Sequence, residues 1–201
     1  EIGCGSGAVS VFFRRQWKSR PELMEKMELQ SFVTDVNKRA LDVALQTEEE
    51  NSGAGQNDGV EEENSQKKLS SMEAINCDLA TPLLSRLESS VDVLLFNPPY
   101  VPTDDEEVGC LDISAAWAGG ADGRRVIDRA VPQISQLLRP QTGTAYLVTV
   151  DDNRPAQLAH LFQQQQQHNS SRDSKQQLFM EPLFRRRARN EYLTIQKIFW
   201  G

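Results

Sequence analysis

Short apolar runs alternate with segments of helical spacing, and this alternation restricts the chain to a narrow set of folds. Strands are predicted at residues 31–35, 72–78, 91–97 and 143–150, and helices at residues 8–17, 37–46, 81–87, 124–138 and 154–162. Strands that alternate with helices indicate a parallel sheet with helices on both faces. A last pair of strands, 178–180 and 191–199, has no helix between its members, which predicts an antiparallel end to the sheet. In the second helix, Leu41 and Leu45 are predicted to share the buried face.

The length of the chain indicates one domain. Its 201 residues are enough for a single core, so residues 1–201 are predicted to form one domain. Residues 47–68 and 163–175 are rich in polar residues of low complexity and are predicted to be disordered insertions. A glycine-rich turn normally follows a strand, yet the turn at residues 1–7 opens the sequence. We therefore expect the first strand to lie outside it.

Cysteine and histidine usage restricts the setting and the cofactors. The 3 cysteines, Cys4, Cys77 and Cys110, form no CxxC pair, which predicts reduced thiols in a cytoplasmic or nuclear protein. His160 and His168 lack the spacing of metal ligands, so no protein-bound metal is expected. No apolar stretch approaches the ~20 residues that cross a bilayer, so a membrane protein is not expected.

The acidic charge is concentrated in one segment. The formal net charge is -7, and residues 47–66 contain seven acids and no base, so the remainder is neutral. Nucleic acid binding, which usually requires a basic face, is therefore not expected. One basic cluster stands out: Arg185, Arg186, Arg187 and Arg189. It is either a solvated turn before the last strand or a contact for a phosphate or an acidic partner.

Polar residues follow the predicted strands at the edge where open α/β sheets bind ligands. Residues 93–100 read VLLFNPPY, and because Pro98 and Pro99 cannot donate to a ladder, the strand ends there in a stiff corner. Asp35 ends the second strand, and a carboxylate at this point suits the two hydroxyls of a ribose. The GxGxxG pattern is absent, because position 8 is alanine. A nucleoside ligand without a pyrophosphate therefore fits better than a dinucleotide.

The motifs carry a resemblance to a known family. EIGCGSG, TDVN, NCDL and NPPY, in that order, resemble class I S-adenosylmethionine-dependent methyltransferases that act on planar NH2 groups. NPPYVPT followed by EVG and AAWAGGADGRRVIDR resembles the HemK-type protein methyltransferases of eukaryotes and archaea. This implies a Rossmann-like α/β fold with a mostly parallel seven-stranded sheet, an antiparallel last strand and S-adenosylmethionine as cofactor. The implied substrate is the glutamine of the GGQ motif in the class 1 translation termination factor, and protein lysine has also been attributed to members.

The resemblance further implies a partner and a set of cofactor-binding residues. The partner is a small zinc-binding activator subunit that forms a heterodimer by adding a strand, expected near Val33 and residues 72–75. The cofactor residues would be Glu1, Gly3 and Gly5 for the methionine part, Asp35 for the ribose, Asp78 and Leu79 for the adenine, and Asn97. Asp35 and Asp78 have an alternative as helix caps, with Thr81 as a further cap.

The NPPY corner would be the catalytic and substrate-binding element. An amide nitrogen is a poor nucleophile, so it must be held with its lone-pair face toward the methyl group. The Asn97 side-chain oxygen and the Pro98 carbonyl can accept its two N–H groups, while Pro99 stiffens the corner. Tyr100 and Trp117 would wall the substrate slot, although Trp117 could instead belong to the core.

Two other functions stay open. An adenine-N6 methyltransferase of DNA or RNA would present the same planar NH2 group to the same corner. The missing basic face speaks against it. A non-catalytic or degraded relative is the second alternative, and the presence of Asn97, Asp35 and Asp78 speaks against that.

Overall fold

A computed structural model describes residues 1–51, 70–104, 106, 117–165, 177–189 and 191–201. The chain divides into two compact units: unit 1 contains Glu1 and Gly3–Asp78, and unit 2 contains Ile2 and Leu79–Gly201. The single domain expected from the sequence stays a prediction. In the described part of the chain, no helix combines the length and the hydropathy needed to cross a membrane.

Unit 1 is a helix-flanked pair of parallel strands. Its elements are α1 (Ala8–Lys18), α2 (Pro21–Met24), β1 (Ser31–Asp35), α3 (Lys38–Asn51) and β2 (Met72–Asn76). β1 and β2 pair in register from Ser31↔Met72 to Asp35↔Asn76, as the parallel pattern predicted. The chain start is extended beside β1, because the Glu1 carbonyl accepts from Thr34 N–H at 2.9 Å and Cys4 N–H donates to the Thr34 carbonyl at 3.0 Å.

The buried face of α3 differs from the prediction. Leu41 and Ala44 are buried, whereas Leu45 is 42 % exposed, so the pairing of Leu41 with Leu45 is wrong. The reason is that the glycine turn at residues 1–7 lies close to Ala44 of α3. A Cβ on Gly7 would lie 2.7 Å from the Ala44 Cβ, so only a small residue fits where α3 meets the start of α1. Gly7 also has a φ of +73°, which favours glycine.

Part of the first predicted insertion is helical. α3 continues through residues 47–51, which were assigned to the insertion, and residues 52–68 lie outside the described part. The extra turn is stabilised by Glu48, whose carboxylate pairs with the buried Arg14 guanidinium at 2.7 Å. Gln46 also donates to Glu50 at 2.8 Å, one turn along the same helix. Tertiary contacts therefore order residues that composition alone marked as polar and disordered.

Unit 2 contains a four-stranded mixed sheet. Its elements are β3 (Val93–Phe96), α4 (Arg125–Leu137), β4 (Thr144–Thr149), α5 (Pro155–Gln164), β5 (Leu178–Ala188) and β6 (Glu191–Trp200), with 3-10 turns at Thr81–Leu83 and Asp151–Asn153. The strand order is β3-β4-β6-β5. β3 and β4 are parallel, while β6 lies antiparallel to both β4 and β5. The antiparallel end predicted from the sequence is therefore confirmed.

The core of unit 2 forms around α4. Ile127, Val131 and Ile134 recur at helical spacing and are buried in one cluster with Leu147 of β4 and Ile198 of β6. This spacing is why residues 124–138 could be predicted as a helix.

Three predicted boundaries in unit 2 need correction. Of the helix predicted at residues 81–87, only Thr81–Leu83 form a 3-10 turn, and its capping position is Ala80 rather than Thr81. The second insertion was predicted from residue 163, but α5 continues to Gln164, and residues 166–175 lie outside the described part. β5 is longer than predicted and includes Arg185–Arg187, because these residues pair with β6. The solvated-turn alternative is therefore wrong for those three arginines.

Candidate functional site

Asp35 accepts two backbone hydrogen bonds at the end of β1. Its Oδ2 accepts from Gly5 N–H at 3.0 Å, and its Oδ1 accepts from Asn37 N–H at 2.9 Å. Asn37 caps α3, since its side-chain oxygen accepts from Arg39 N–H at 3.0 Å, so the helix-cap alternative for Asp35 is wrong. Each carboxylate oxygen of Asp35 keeps acceptor capacity for a further hydroxyl.

The glycine turn places Glu1 and Cys4 beside the start of α1. The Glu1 carboxylate accepts from Ser10 N–H at 3.1 Å and from Ser10 Oγ at 2.5 Å. Burial raises the pKa of the Glu1 carboxyl, and the Ser10 hydrogen bonds oppose this rise. Burial also raises the pKa of the Cys4 thiol to about 12, with smaller contributions from Asp35 and Glu1. Cys4 is therefore a protonated thiol at neutral pH rather than a nucleophile.

Gly3 and Gly5 have positive φ angles of 64° and 51°, a conformation that favours glycine. Both are exposed, and a Cβ on Gly5 would meet nothing within 4 Å. The turn therefore presents bare backbone to any ligand that approaches it.

Asp78 and Leu79 fall on either side of the boundary between the units. Asp78 is exposed after β2 in unit 1, where Asn76 joins the two strand ends by donating to the Asp35 carbonyl at 2.9 Å. Leu79 begins unit 2 and is buried in its core, with a φ of +53° that is strained for a residue with a Cβ. Such strain persists where surrounding contacts hold it, and it clusters at ligand sites.

The NPPY corner, residues 97–100, presents one free side chain. Asn97 is exposed, Pro98 is buried, and Pro99 and Tyr100 are half-buried. Within the described residues, no protein atom hydrogen-bonds the Asn97 side chain, and no backbone N–H donates to the Pro98 carbonyl. Burial raises the pKa of the Tyr100 hydroxyl, and the Glu191 carboxylate raises it further. The two predicted acceptors are thus not consumed by the fold.

The residues after the corner pair with the AWAGG segment. Val101 N–H donates to the Trp117 carbonyl at 3.0 Å, and Gly119 N–H donates back to the Val101 carbonyl at 2.8 Å. Thr103 N–H extends the pairing to the Gly120 carbonyl at 3.0 Å. The Trp117 side chain is 41 % exposed, so its alternative as a core residue is wrong. A wall of the slot remains its predicted role.

Asn153 holds the corner in place and was missed by the sequence analysis. Its side chain is fully buried, and its Nδ2 lies 2.9 Å from the Tyr100 carbonyl, 3.1 Å from the Gly123 carbonyl and 3.2 Å from the Asp122 carbonyl. Its Oδ1 accepts from Val150 N–H at 2.8 Å. The available signal was an asparagine three residues after a predicted strand, at the same edge of the sheet as the corner.

No metal-ligand cluster accompanies this corner. Among the residues that the structure describes, no group of three or more histidine, cysteine, aspartate or glutamate side chains could hold a metal ion. What the corner offers is hydrogen-bond acceptors on a rigid backbone.

Replacing Gly123 by alanine should displace the corner. The new Cβ would lie 2.0 Å from the Tyr100 carbonyl oxygen and 2.6 Å from Asn153 Nδ2, at a φ of +64°. Strain and overpacking together should lower the free energy of unfolding by about 2–3 kcal/mol. Gly5→Ala is the matched control, since it has a positive φ but no atom within 4 Å, and it should cost only about 1 kcal/mol. Equal losses for the two variants in denaturant titrations would contradict the clash.

Comparison with known proteins places the chain in a family, although no family model matches it. It is 39 % identical over 158 residues to methyltransferase HEMK2 of Mus musculus, an alignment that covers 79 % of this chain and 62 % of the mouse protein. By sequence, the chain belongs with the HemK-type methyltransferases. It is also 28 % identical over 203 aligned positions to the eRF1 methyltransferase catalytic subunit mtq2 of Schizosaccharomyces pombe, covering 99 % of this chain and 74 % of that protein.

A solved structure supports the fold. This chain matches one chain of the E. cuniculi Mtq2–Trm112 complex with a TM-score of 0.52 at 21 % identity. That complex is described as responsible for the methylation of the eRF1 translation termination factor. The match covers 97 % of this chain and 95 % of that one. It confirms the Rossmann-like α/β class of the HemK-type family, whereas seven strands and an absent first strand stay predictions. The chain spans about three fifths, 62 %, of the mouse and human HEMK2 proteins.

Proposed function

We propose that the protein transfers a methyl group from S-adenosylmethionine to the side-chain amide nitrogen of a glutamine, in the GGQ motif of the class 1 translation termination factor. The main support is the exposed Asn97 side chain at the end of β3, which has no hydrogen-bond partner among the described residues, in a chain related to HemK-type methyltransferases. The relative from S. pombe is named for this substrate.

Asn97 and Pro98 would orient the nitrogen. The Asn97 Oδ1 and the Pro98 carbonyl accept one N–H each, which leaves the face of the amide nitrogen free to point at the methyl carbon. S-adenosylmethionine, when bound, would supply a methyl group on a positively charged sulfur, and breaking the sulfur–methyl bond would leave that sulfur as a neutral thioether. The amide proton becomes acidic as that bond forms and passes to water, so no prior base is needed. Such positioning can contribute ~7 kcal/mol or more to lowering the barrier.

The cofactor residues are assigned by the family resemblance and by the chemistry of their side chains and backbone. Asp35 keeps acceptor capacity for the two ribose hydroxyls beside its two backbone hydrogen bonds. Gly3 and Gly5 leave the backbone open to the methionine part, with Glu1 beside them. Asp78 is an exposed acceptor suited to an adenine NH2 group. Leu79, which belongs to unit 2, would contact the adenine ring.

We further propose a small zinc-binding activator subunit as partner, and the solved complex of Mtq2 with Trm112 supports a heterodimer. Val33 and Met72 are buried in the core of unit 1, so near Val33 and residues 72–75 these two side chains are not available to a partner. The proposal therefore rests on backbone pairing along β2, whose only strand partner among the described residues is β1.

The decisive experiment is mass spectrometry of the substrate peptide. The full-length protein, its activator and S-adenosylmethionine are incubated with purified termination factor, and in parallel with adenine-containing DNA and RNA. We expect one added methyl group on the glutamine of the GGQ peptide. Methylation of adenine alone would favour the nucleic acid alternative, and no transfer to any acceptor would favour a non-catalytic relative.

A further inference from the structure

The end of the β5–β6 hairpin lies at the same edge of the unit 2 sheet as the NPPY corner. Pairing between β6 and β4 ends at Thr149↔Thr194, whereas pairing between β5 and β6 continues to Ala188↔Glu191. The hairpin therefore extends past the carboxyl end of β4. Since β3 is parallel to β4, its own carboxyl end and the corner that follows lie at this edge too.

One short turn connects the hairpin to the corner. Arg185 of β5 forms an ion pair with Asp151 at 2.7 Å, and Asn153, two residues later, donates to the Tyr100 carbonyl at 2.9 Å. Both side chains belong to the 3-10 turn Asp151–Asn153 after β4. Burial raises the pKa of Tyr100, and the smaller further rise from the Glu191 carboxylate agrees with this proximity, because Glu191 begins β6.

The hairpin end combines cationic and apolar groups on its surface. We name it the basic hairpin and define it by residues 183–189 and 191–194. Its exposed cationic residues are Arg185, Arg186, Arg187 and Arg189. Phe184 is 57 % exposed, Leu183 is similarly exposed, and the Arg185 guanidinium lies 4.5 Å from the Tyr192 ring centroid. Apart from Arg185, no arginine of the cluster has an ion-pair partner in the described part of the chain.

Protection of a sheet edge explains only part of this composition. β5 is an edge strand of the described sheet, and charged residues together with Pro182 would discourage pairing with other chains. Exposed Leu183 and Phe184 would have the opposite effect. Arginine beside exposed aromatic rings is instead typical of the energetically important residues of protein interfaces.

We propose that the basic hairpin binds an acidic segment of the substrate protein, close to the glutamine that enters the NPPY corner. This inference rests on the proposed function and states how the site at the NPPY corner selects its substrate. Planar guanidinium groups bind carboxylates through paired hydrogen bonds, and the three arginines without ion pairs have this capacity free. Nucleic acid is the weaker candidate, since the chain carries a net charge of -7 and a single basic cluster.

The test is the double variant Arg186→Glu with Arg187→Glu in the full-length protein with its activator. We expect its KM for the intact termination factor to rise at least tenfold, with kcat changed less than twofold. A GGQ peptide too short to reach the hairpin should be methylated as by the wild type. Added salt should raise the wild-type KM toward that of the variant, because exposed charges are screened. A purely structural role would instead lower kcat and the melting temperature together.

A matched charge reversal and a binding assay separate the possible failures. Lys18→Glu with Arg20→Glu reverses two exposed charges elsewhere and should leave the KM unchanged. Direct binding of purified termination factor is measured for all three proteins, so the inference is tested even where no methylation occurs. Equal binding by wild type and hairpin variant, or no binding by the wild type, would overturn it. The inference would also be overturned if the hairpin variant lost binding to RNA while its binding to the termination factor stayed unchanged.

Discussion

Replacing Asn97 by alanine should lower the rate of glutamine methylation about 10²–10³-fold. The side chain is proposed to accept one N–H of the substrate amide, and loss of one preorganised group of this kind costs about 3 kcal/mol in the transition state. Because Asn97 is exposed and has no protein partner in the described residues, the melting temperature should not change. Single-turnover kinetics with saturating cofactor isolate the methyl-transfer step.

Asn97→Asp is the informative companion variant. It keeps an oxygen acceptor at the same position and loses the amide NH2, so it should retain more activity than Asn97→Ala. If alanine preserved more than a tenth of the wild-type rate, the amide would not be held by this side chain. A rate lost together with the melting temperature would instead assign Asn97 to the fold.

Replacing Arg14 by methionine should have the largest effect on the stability of unit 1. Arg14 is only 4 % exposed, pairs with Glu48 at 2.7 Å, and donates to Ser31 Oγ at 2.6 Å and to the Ser70 carbonyl. Removing Arg14 takes away a guanidinium that pairs with the largely buried Glu48 carboxylate, together with its hydrogen bonds to Ser31 and Ser70. The free energy of unfolding should fall by about 3–5 kcal/mol, as measured by denaturant titration.

The neighbouring Arg15 supplies a control in the same helix. Arg15 is exposed, and its guanidinium donates to Asn51 Oδ1 at 3.1 Å. Arg15→Met should therefore change stability by less than about 1 kcal/mol. Adding Glu48→Gln to Arg14→Met should recover part of the loss, because the uncompensated charge is removed. Similar losses for Arg14→Met and Arg15→Met would show that burial of the ion pair has no special value.

The strands were predictable where local sequence alone determines them. β1 occupies residues 31–35 as predicted, and β3 ends at Phe96, because prolines and polar residues bound these apolar runs. Helix boundaries were less predictable when they depend on distant partners. α3 continues past residue 47 because Glu48 forms an ion pair with Arg14 of α1. The local sequence does not show this contact.

The site residues proposed from the sequence stay predictions, and the pattern that singled them out is a polar residue at the end of a strand. Asn97 fits it most clearly, because an exposed amide ahead of two prolines contributes little to the fold. Asn153 serves the fold itself by linking three backbone carbonyls, and its partner Tyr100 lies 53 residues away. Such a role follows from the tertiary arrangement, and sequence spacing does not reveal it.

The turn Asp151–Asn153 contacts both the basic hairpin and the NPPY corner. Its first residue pairs with Arg185, and its last binds the carbonyl of Tyr100. If the proposed function holds, substitutions on the hairpin that spare Arg185 would leave the contacts of this turn with the corner in place. Lengthening the turn by even one residue would shift the hairpin relative to the corner, so both the length of the turn and the residues at its two ends are constrained.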